Sequence, residues 1–393
     1  MSPVAEISGL NLNREAGAHQ DPQFPDKRSA AFKYQPALDG LRAVAVLFVM
    51  GFHSSGPIGN LAARGGGWVG VDVFFVISGF LITSILLHEK ENNGFINLKN
   101  FYLRRMLRLM PAYYAFLTCT AIFNPTHCQH MGAAVGIALV YLSNYDLVLG
   151  WNHIEGSGTD ITWSLALEEQ FYLLWPTVLN LLSKHLFKIT IGSIIICQLW
   201  KVFLLTHGAS WPYLEAAFDT KIDTLMFGAL GAMAYFQPQS RAWLNKFLSS
   251  KFVPLAIFAL LLIYVRAIGH PSGTMSLFNQ IIYWDVRLPA FAALTTALIL
   301  SICVQPNSLV ATMLSCGIFT WLGKLSYSIY LWHGLSFLVL MSVLKFPLEK
   351  WQIETVGYLT AIGFAAVSYY LVEKPFLDIK KKMSKTAQAP SEK

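Results

Sequence analysis

Apolar residues occur along most of the chain in long runs that are separated by short polar stretches. Most runs are about 17 to 22 residues long, the length at which a helix crosses the hydrocarbon core of a bilayer. The runs fall at residues 40–56, 68–87, 109–123, 131–149, 166–183, 189–206, 221–236, 252–268, 286–304, 325–343 and 355–372. This pattern predicts an all-α protein, a polytopic bundle of transmembrane helices that has the lipid bilayer as its partner.

Basic residues between the runs predict orientation and domain boundaries. The loops after the second run and between the seventh and eighth runs are rich in Lys and Arg, as cytosolic loops are. Residues 1–37 are polar and typical of a flexible cytosolic arm, residues 38–377 form the membrane domain, and residues 378–393 form a basic cytosolic tail. We therefore expect a multi-pass protein with both termini in the cytosol.

The two basic loops enclose five apolar runs, and an odd number of crossings cannot return the chain to the same side. One of the five is therefore expected to be re-entrant, which leaves about ten spanning helices. The candidates are 109–123, because it is short, and 131–149, because it is rich in Gly and Ala. Non-helical backbone at membrane depth is tolerated only where it lines an enclosed cavity, so the count also predicts a cavity near residues 109–165.

The composition agrees with a membrane protein and gives no indication of a nucleic-acid partner or a metal site. Of 393 residues, 54% are hydrophobic and only 13% are charged, with a mean hydropathy of +0.48. Soluble domains devote about a quarter of their residues to charge. The net charge of +7 comes from short clusters that set orientation, so no nucleic-acid partner is expected. The five cysteines have neither disulfide nor metal-ligand spacing, so no metal site is predicted.

The first apolar run carries two basic residues, Arg42 near its start and His53 near its end. In a helix they are separated by about three turns and about 20° of rotation, so they share one face, about 16 Å apart along the axis. An imidazole titrates near neutral pH and can act as a general base, which makes His53 a catalytic candidate. The alternatives are an arginine that extends to the headgroups and a histidine at the interface.

Further ionisable residues lie in or beside later runs. Asp72 can orient an imidazole or simply begin a helix. Arg105 and Arg108 share a helix face and suit a phosphate clamp, although basic clusters also mark cytosolic ends. Glu168 and Glu169, at the start of a run, need basic partners at this depth.

Two stretches supply other candidates for the lining of a cavity. Ser326, Tyr330 and His333 lie at spacings of four and three, so a helix places them on one face. Trp163 and Ser164 directly precede the acidic pair in "TWSLALEEQ". Aromatic packing is the alternative explanation for the tyrosine, and it explains the histidine in mid-run less well.

The order and spacing of these blocks resemble the acyltransferase 3 family of membrane O-acyltransferases, which includes the O-antigen acetylases. The matching stretches are "LDGLRAVAVLFVMGFH", "GWVGVDVFFVISGFLIT", "FYLRRMLRLMPAYY", "TWSLALEEQFYLLWP", "LGKLSYSIYLWH" and "LVEKPF". The resemblance runs from about residue 36 to residue 377. It implies a core of ten spans. Many members also carry an extracytoplasmic hydrolase-like domain after the core, and because this chain ends after its last run we expect a stand-alone enzyme.

The resemblance also implies roles for the residues that match the family's motifs. The Arg-x10-His pair falls on Arg42 and His53, the Arg-x-x-Arg pair on Arg105 and Arg108, and the acid of the WSL block on Glu168. The donor implied is cytosolic acyl-CoA, held by the three arginines, with no permanently bound cofactor.

In the implied reaction, His53 deprotonates a hydroxyl of a sugar or glycoconjugate, which attacks the thioester. Glu168 or Asp72 orients the imidazole, and the protein lies in the plasma (inner) membrane. Two alternatives stay open: a covalent acyl-enzyme on His53 or a serine, and a transporter or flippase for an amphiphilic or acidic solute. The sequence gives no indication of the oligomeric state.

Overall fold

The computed structural model describes residues 34–386 except 55–56, 58–59, 61–65, 124–129, 152, 270–274 and 344–348. Nearly all of these residues are helical, and no strand occurs among them, which confirms the all-α class. The N-terminal arm predicted to be cytosolic lies outside the described residues up to residue 33, and the predicted tail lies outside them from residue 387. The boundary predicted at residue 377 falls within a helix, Lys374–Thr386.

The helices are numbered here in chain order. They are α1 (Pro36–Phe52), α2 (Gly70–Asn93), α3 (Leu98–Phe123), α4 (Met131–Leu139), α5 (Ser143–Val148), α6 (Thr162–Leu181), α7 (Leu186–Thr206), α8 (Trp211–Ala216), α9 (Phe218–Phe236), α10 (Pro238–Phe247), α11 (Val253–Ile268), α12 (Leu277–Ile281), α13 (Leu288–Val304), α14 (Leu309–Leu314), α15 (Gly317–Val343), α16 (Lys350–Ser368) and α17 (Lys374–Thr386). Two 3₁₀ turns, Gly67–Val69 and Ser183–His185, and two π-helical turns, Ile282–Arg287 and Tyr369–Glu373, connect some of them.

Several of these helices are suited to a bilayer. In the described part of the chain, five continuous helical stretches are long and apolar enough to cross a membrane. They are Gly67–Asn93, Leu98–Phe123, Ser183–Thr206, Leu277–Val304 and Lys350–Lys380. The protein is therefore a multi-pass membrane protein, and the larger count of about ten crossings stays a prediction.

The two segments considered as re-entrant differ in the structure. Residues 109–123 are not a short element, because they form the second half of the 26-residue helix α3, which continues through Pro111. Residues 131–149 are divided into α4 and α5, and Tyr141 between them has a positive φ of 55°. A residue with a side chain seldom adopts this conformation, so the helix is interrupted there.

The core is built around α1 and α2. Helix α1 packs on α2 and α15, α15 also packs on α16, and α2 packs on α9. Contact between α2 and α9 is made by backbone: a Cβ added at Gly79 would lie 1.9 Å from the Leu225 carbonyl oxygen, and one at Gly228 would lie 2.1 Å from that of Val76. Small residues permit such close approach of membrane helices.

Two glycines near the start of α2, Gly66 and Gly70, permit a turn and close packing. Gly66 has a φ of 76°, which lies in the left-handed region that glycine adopts without strain. A Cβ at Gly70 would lie 2.5 Å from the carbonyl oxygen of Ala45. The start of α2 is therefore held directly against α1, near the end that carries His53.

Candidate active site

Two cavities follow the face of α1 that carries Arg42 and His53. The arginine cavity, of about 30 Å³, has among its lining residues Arg42, Ser164, Glu168 and Ser326. The histidine cavity, of about 220 Å³, has among its lining residues His53, Trp68, Trp163, Trp211 and Glu215. Val71 and Tyr330 line both. The two basic residues of α1 therefore face two adjoining spaces with the Tyr330 side chain between them.

Tyr330 is held in place by α6. Its hydroxyl lies 2.6 Å from the Ser164 hydroxyl and donates to the carbonyl oxygen of Ile161 at 3.2 Å. Ser326, one turn earlier on α15, is fully buried, and its hydroxyl has no hydrogen-bond partner among the described residues. The structure thus brings Trp163, Ser164, Ser326 and Tyr330 to the two cavities.

His53 follows the last residue of α1, and its side chain is exposed. Its Nδ1 lies 2.9 Å from the carbonyl oxygen of Val49. Because a carbonyl oxygen can only accept, this bond assigns the proton to Nδ1 and leaves the lone pair on Nε2. The imidazole can therefore accept a proton at Nε2 while its orientation is held by the helix backbone.

His333 packs against His53, with 5.1 Å between the ring centroids. Its side chain is buried, and its Nδ1 lies 2.7 Å from the Tyr330 carbonyl oxygen. Its Nε2 has no hydrogen-bond partner among the described residues. His333 is not among the described residues that line either cavity, and its ring contacts that of His53.

The two carboxylates expected to orient His53 have other partners. Asp72 is buried and pairs with the Lys221 ammonium at 3.0 Å. Glu168 accepts hydrogen bonds from Ser78 at 2.8 Å and Tyr172 at 3.1 Å, and lines the arginine cavity. In the described chain neither carboxylate bonds to the imidazole, and the Val49 carbonyl takes that position.

Three arginines form a cluster near the arginine cavity. Arg108 lies close enough to Arg42 and Arg105 for the like charges to interact unfavourably. No ion pair to these three occurs among the described residues, and the Arg42 Nε is buried without a hydrogen-bond partner. Such an arrangement favours an anionic ligand, and guanidinium groups bind phosphates with charge-assisted bonds.

The neighbouring residues distinguish the arginines of α3. Arg104 pairs with Glu89 at 2.9 Å. Arg105 instead lies over the Tyr172 ring, with 4.3 Å from its guanidinium carbon to the ring centroid. Arg105 and Glu169 both line a further space of about 260 Å³ beside α3, so the second glutamate of the acidic pair faces the arginine cluster.

The chain matches the family model described as "Acyltransferase domain" over residues 35–371. It belongs to this acyltransferase family. The match covers every helix that lines the two cavities and ends in the π-helical turn before α17.

Three bacterial proteins are among the curated relatives of this acyltransferase domain. The chain is 31% identical to a peptidoglycan O-acetyltransferase of Listeria monocytogenes, over 77% of this chain and 49% of the relative. It is 31% identical to a putative O-acetyltransferase of Staphylococcus aureus, over 88% of this chain and 57% of the relative. It is 30% identical to a putative peptidoglycan O-acetyltransferase of Bacillus subtilis, over 87% and 55%.

The chain spans about half the length of these relatives. No solved structure matches it with significance.

The acyltransferase domain has functional candidates that the sequence did not single out. Glu215 and Trp211, on the short helix α8, line the histidine cavity, and no motif in their segment marks them as functional. Asp160 lies close enough to His53 for an electrostatic interaction, and its position just before the WSL block is the only signal for it. Glu373, in the "LVEKPF" block, accepts a hydrogen bond from Ser328 and interacts electrostatically with Arg108.

Proposed function

We propose that the chain is a membrane-bound O-acyltransferase that moves a short acyl group from cytosolic acyl-CoA to a hydroxyl of a sugar in a glycoconjugate. The observation that carries this proposal is the pair of adjoining cavities: Arg42, which interacts with Arg108 of the arginine cluster, lines one, and an imidazole with its Nε2 lone pair available lines the other. Membership of the acyltransferase family supports it and does not favour a transporter or flippase.

The arginine cluster suits the donor. CoA carries phosphates at one end and the thioester at the end of a long flexible arm. Arg42, Arg105 and Arg108 would bind the phosphates, because charge-assisted bonds to clustered guanidinium groups are among the strongest available to an anion. The thioester would then extend along α1, past Tyr330, toward the histidine cavity.

The histidine cavity suits the chemical step. Nε2 of His53 would take the proton of the acceptor hydroxyl while the hydroxyl oxygen attacks the thioester carbonyl. The C–O bond forms, the C–S bond breaks, and the CoA thiolate leaves and is protonated. The Val49 carbonyl holds the imidazole in the required tautomer, and Asp160 can stabilise its protonated form.

The acceptor and the membrane arrangement follow from the relatives and from the charge pattern. Two relatives carry peptidoglycan in their names, so a cell-wall glycan is the proposed acceptor. Both termini would lie in the cytosol of a bacterium, with about ten crossings of the plasma membrane. The interrupted segment α4–α5 would be the re-entrant one.

Acyl transfer by the purified protein tests the proposal. Protein in lipid nanodiscs is incubated with radiolabelled acetyl-CoA and either peptidoglycan fragments or a β-1,4-linked N-acetylglucosamine tetrasaccharide. We expect release of CoA thiol and a product that is heavier by one acetyl group in mass spectrometry. Movement of an intact solute across proteoliposomes, without consumption of acetyl-CoA, would contradict the proposal and support the transporter.

A further inference from the structure

The histidine cavity has a lining that the arginine cavity lacks. Three tryptophans, Trp68, Trp163 and Trp211, contribute to its walls, and each is half-buried, so part of each indole is accessible from the cavity. The charged side chains that line this cavity in the described chain are Glu215 and, when protonated, His53. The lining is therefore aromatic with one carboxylate, which does not suit the phosphates of CoA.

The indoles are held by other aromatic rings. The Trp211 ring centroid lies 4.9 Å from that of Trp284 and 6.0 Å from that of Tyr283, which also packs on Trp68 at 5.8 Å. Trp163 packs edge-on against Phe75. Aromatic side chains that are fixed by packing form a binding surface that loses little conformational entropy when a ligand binds.

Glu215 is oriented by a buried ion pair. One of its carboxylate oxygens accepts from Lys221 at 3.1 Å, and Lys221 also pairs with Asp72 at 3.0 Å. The other oxygen, Oε2, is buried and has no hydrogen-bond partner among the described residues. A buried acceptor left unpaired is costly, so Oε2 is suited to a donor supplied by a ligand.

These features match the chemistry of a neutral pyranose. The C–H groups on the face of a sugar ring are apolar and pack on indole rings, whereas the hydroxyls at its edge donate hydrogen bonds to carboxylates. A cavity of about 220 Å³ holds about seven water molecules, which is sufficient for one sugar ring and not for a long glycan. Lys221 carries one positive charge between two carboxylates, so this side of the cavity has a negative excess that disfavours acidic sugars.

We propose that Trp68, Trp163, Trp211 and Glu215 form the acceptor subsite, which binds one neutral pyranose ring and presents its hydroxyl to His53. This inference rests on the proposed acyl transfer and adds the class of sugar and the residues that recognise it. Asp72 and Lys221 are positioning residues in this account, since they act through Glu215.

The test measures sugar binding and transfer in Trp211→Ala and Glu215→Gln variants. The probe is the N-acetylglucosamine tetrasaccharide, and binding is measured by calorimetry without acyl-CoA. Glu215→Gln keeps the side-chain shape and loses the charged acceptor, so we expect affinity to fall about tenfold. Trp211→Ala should lower it at least as much, while KM for acetyl-CoA stays unchanged in both variants. Trp243→Ala, an exposed tryptophan on α10, is the matched control and should keep full affinity.

The outcomes separate this subsite from the acyl transfer itself. In one outcome the wild-type protein binds the sugar, affinity is lost in the Trp211 and Glu215 variants, and yet no acetyl-CoA is consumed. That result would support the subsite and contradict the proposed acyl transfer. Unchanged sugar affinity and acceptor KM in both variants, with active wild-type transfer, would overturn the subsite alone. Equal binding of a galacturonic acid tetrasaccharide would overturn the preference for a neutral ring. If Trp211→Ala does not fold, the sugar affinities of Glu215→Gln and Trp211→Phe test the subsite instead.

Discussion

At the scale of single residues, Arg42 and His53 show how much a helical period can predict. Their spacing places both on one face of α1, and in the structure each lines one of two adjoining cavities. The partners of Asp72 could not be predicted in the same way. Its ion pair is with Lys221 on another helix, and a contact so distant in sequence leaves no periodic signal.

The arginine cluster gives a prediction with a matched control on the same helix. Replacing both Arg105 and Arg108 by alanine should raise KM for acetyl-CoA at least about tenfold, because each charge-assisted bond to phosphate contributes about 1.5–3 kcal/mol. Arg104→Ala should leave KM unchanged, since Arg104 pairs with Glu89. Steady-state kinetics with saturating acceptor measures this, and an equal effect of all three arginines would exclude a specific clamp.

At the scale of elements, the apolar runs predicted the helices well and their interruptions less well. The run at 131–149 is a re-entrant candidate because it is rich in Gly and Ala, and the structure divides it into two helices, with Tyr141 at a positive φ between α4 and α5. The run at 109–123 looked short only because α3 begins in the polar, arginine-rich stretch before it. Hydropathy reports the boundary of the apolar region, whereas a helix can continue beyond it.

The α2–α9 contact gives a prediction about stability. Gly79→Ala should destabilise the protein by about 1–3 kcal/mol or more, because the added methyl group meets the Leu225 backbone and cannot be accommodated by a rotamer change. Gly192→Ala on α7 is the control, since a Cβ there meets nothing within 4 Å. Thermal unfolding in the same detergent compares the two. A lowered melting temperature in Gly192→Ala alone would contradict this packing.

At the scale of the whole molecule, the proposed reaction needs donor and acceptor to approach from opposite sides of the membrane. The loop around α10 is basic, whereas the segment before α8 carries no Lys or Arg. The histidine cavity is lined by α8, so the predicted topology would place it toward the side opposite the basic loops. The predicted side of the histidine cavity follows from two observations together: the distribution of basic residues among the loops, and the order of the helices along the chain.

Sidedness can be measured with single cysteines in a cysteine-free background. A membrane-impermeant maleimide should label Ser240→Cys, on α10, only from the cytosolic side, and Ala209→Cys, before α8, only from the outside. Both positions are outside the cavities, so the variants should remain active. Labelling of both from the same side would contradict the arrangement of donor and acceptor.

In the proposed reaction the imidazole of His53 accepts the proton of the acceptor hydroxyl. The most direct measurement is the rate of acetyl transfer from acetyl-CoA to peptidoglycan fragments by purified His53→Ala protein that is folded as judged by its melting temperature. We predict a loss of at least about 100-fold, as expected when a general base is removed. His185→Ala, an exposed histidine outside both cavities, should retain the wild-type rate. Transfer by His53→Ala at the wild-type rate would contradict the account.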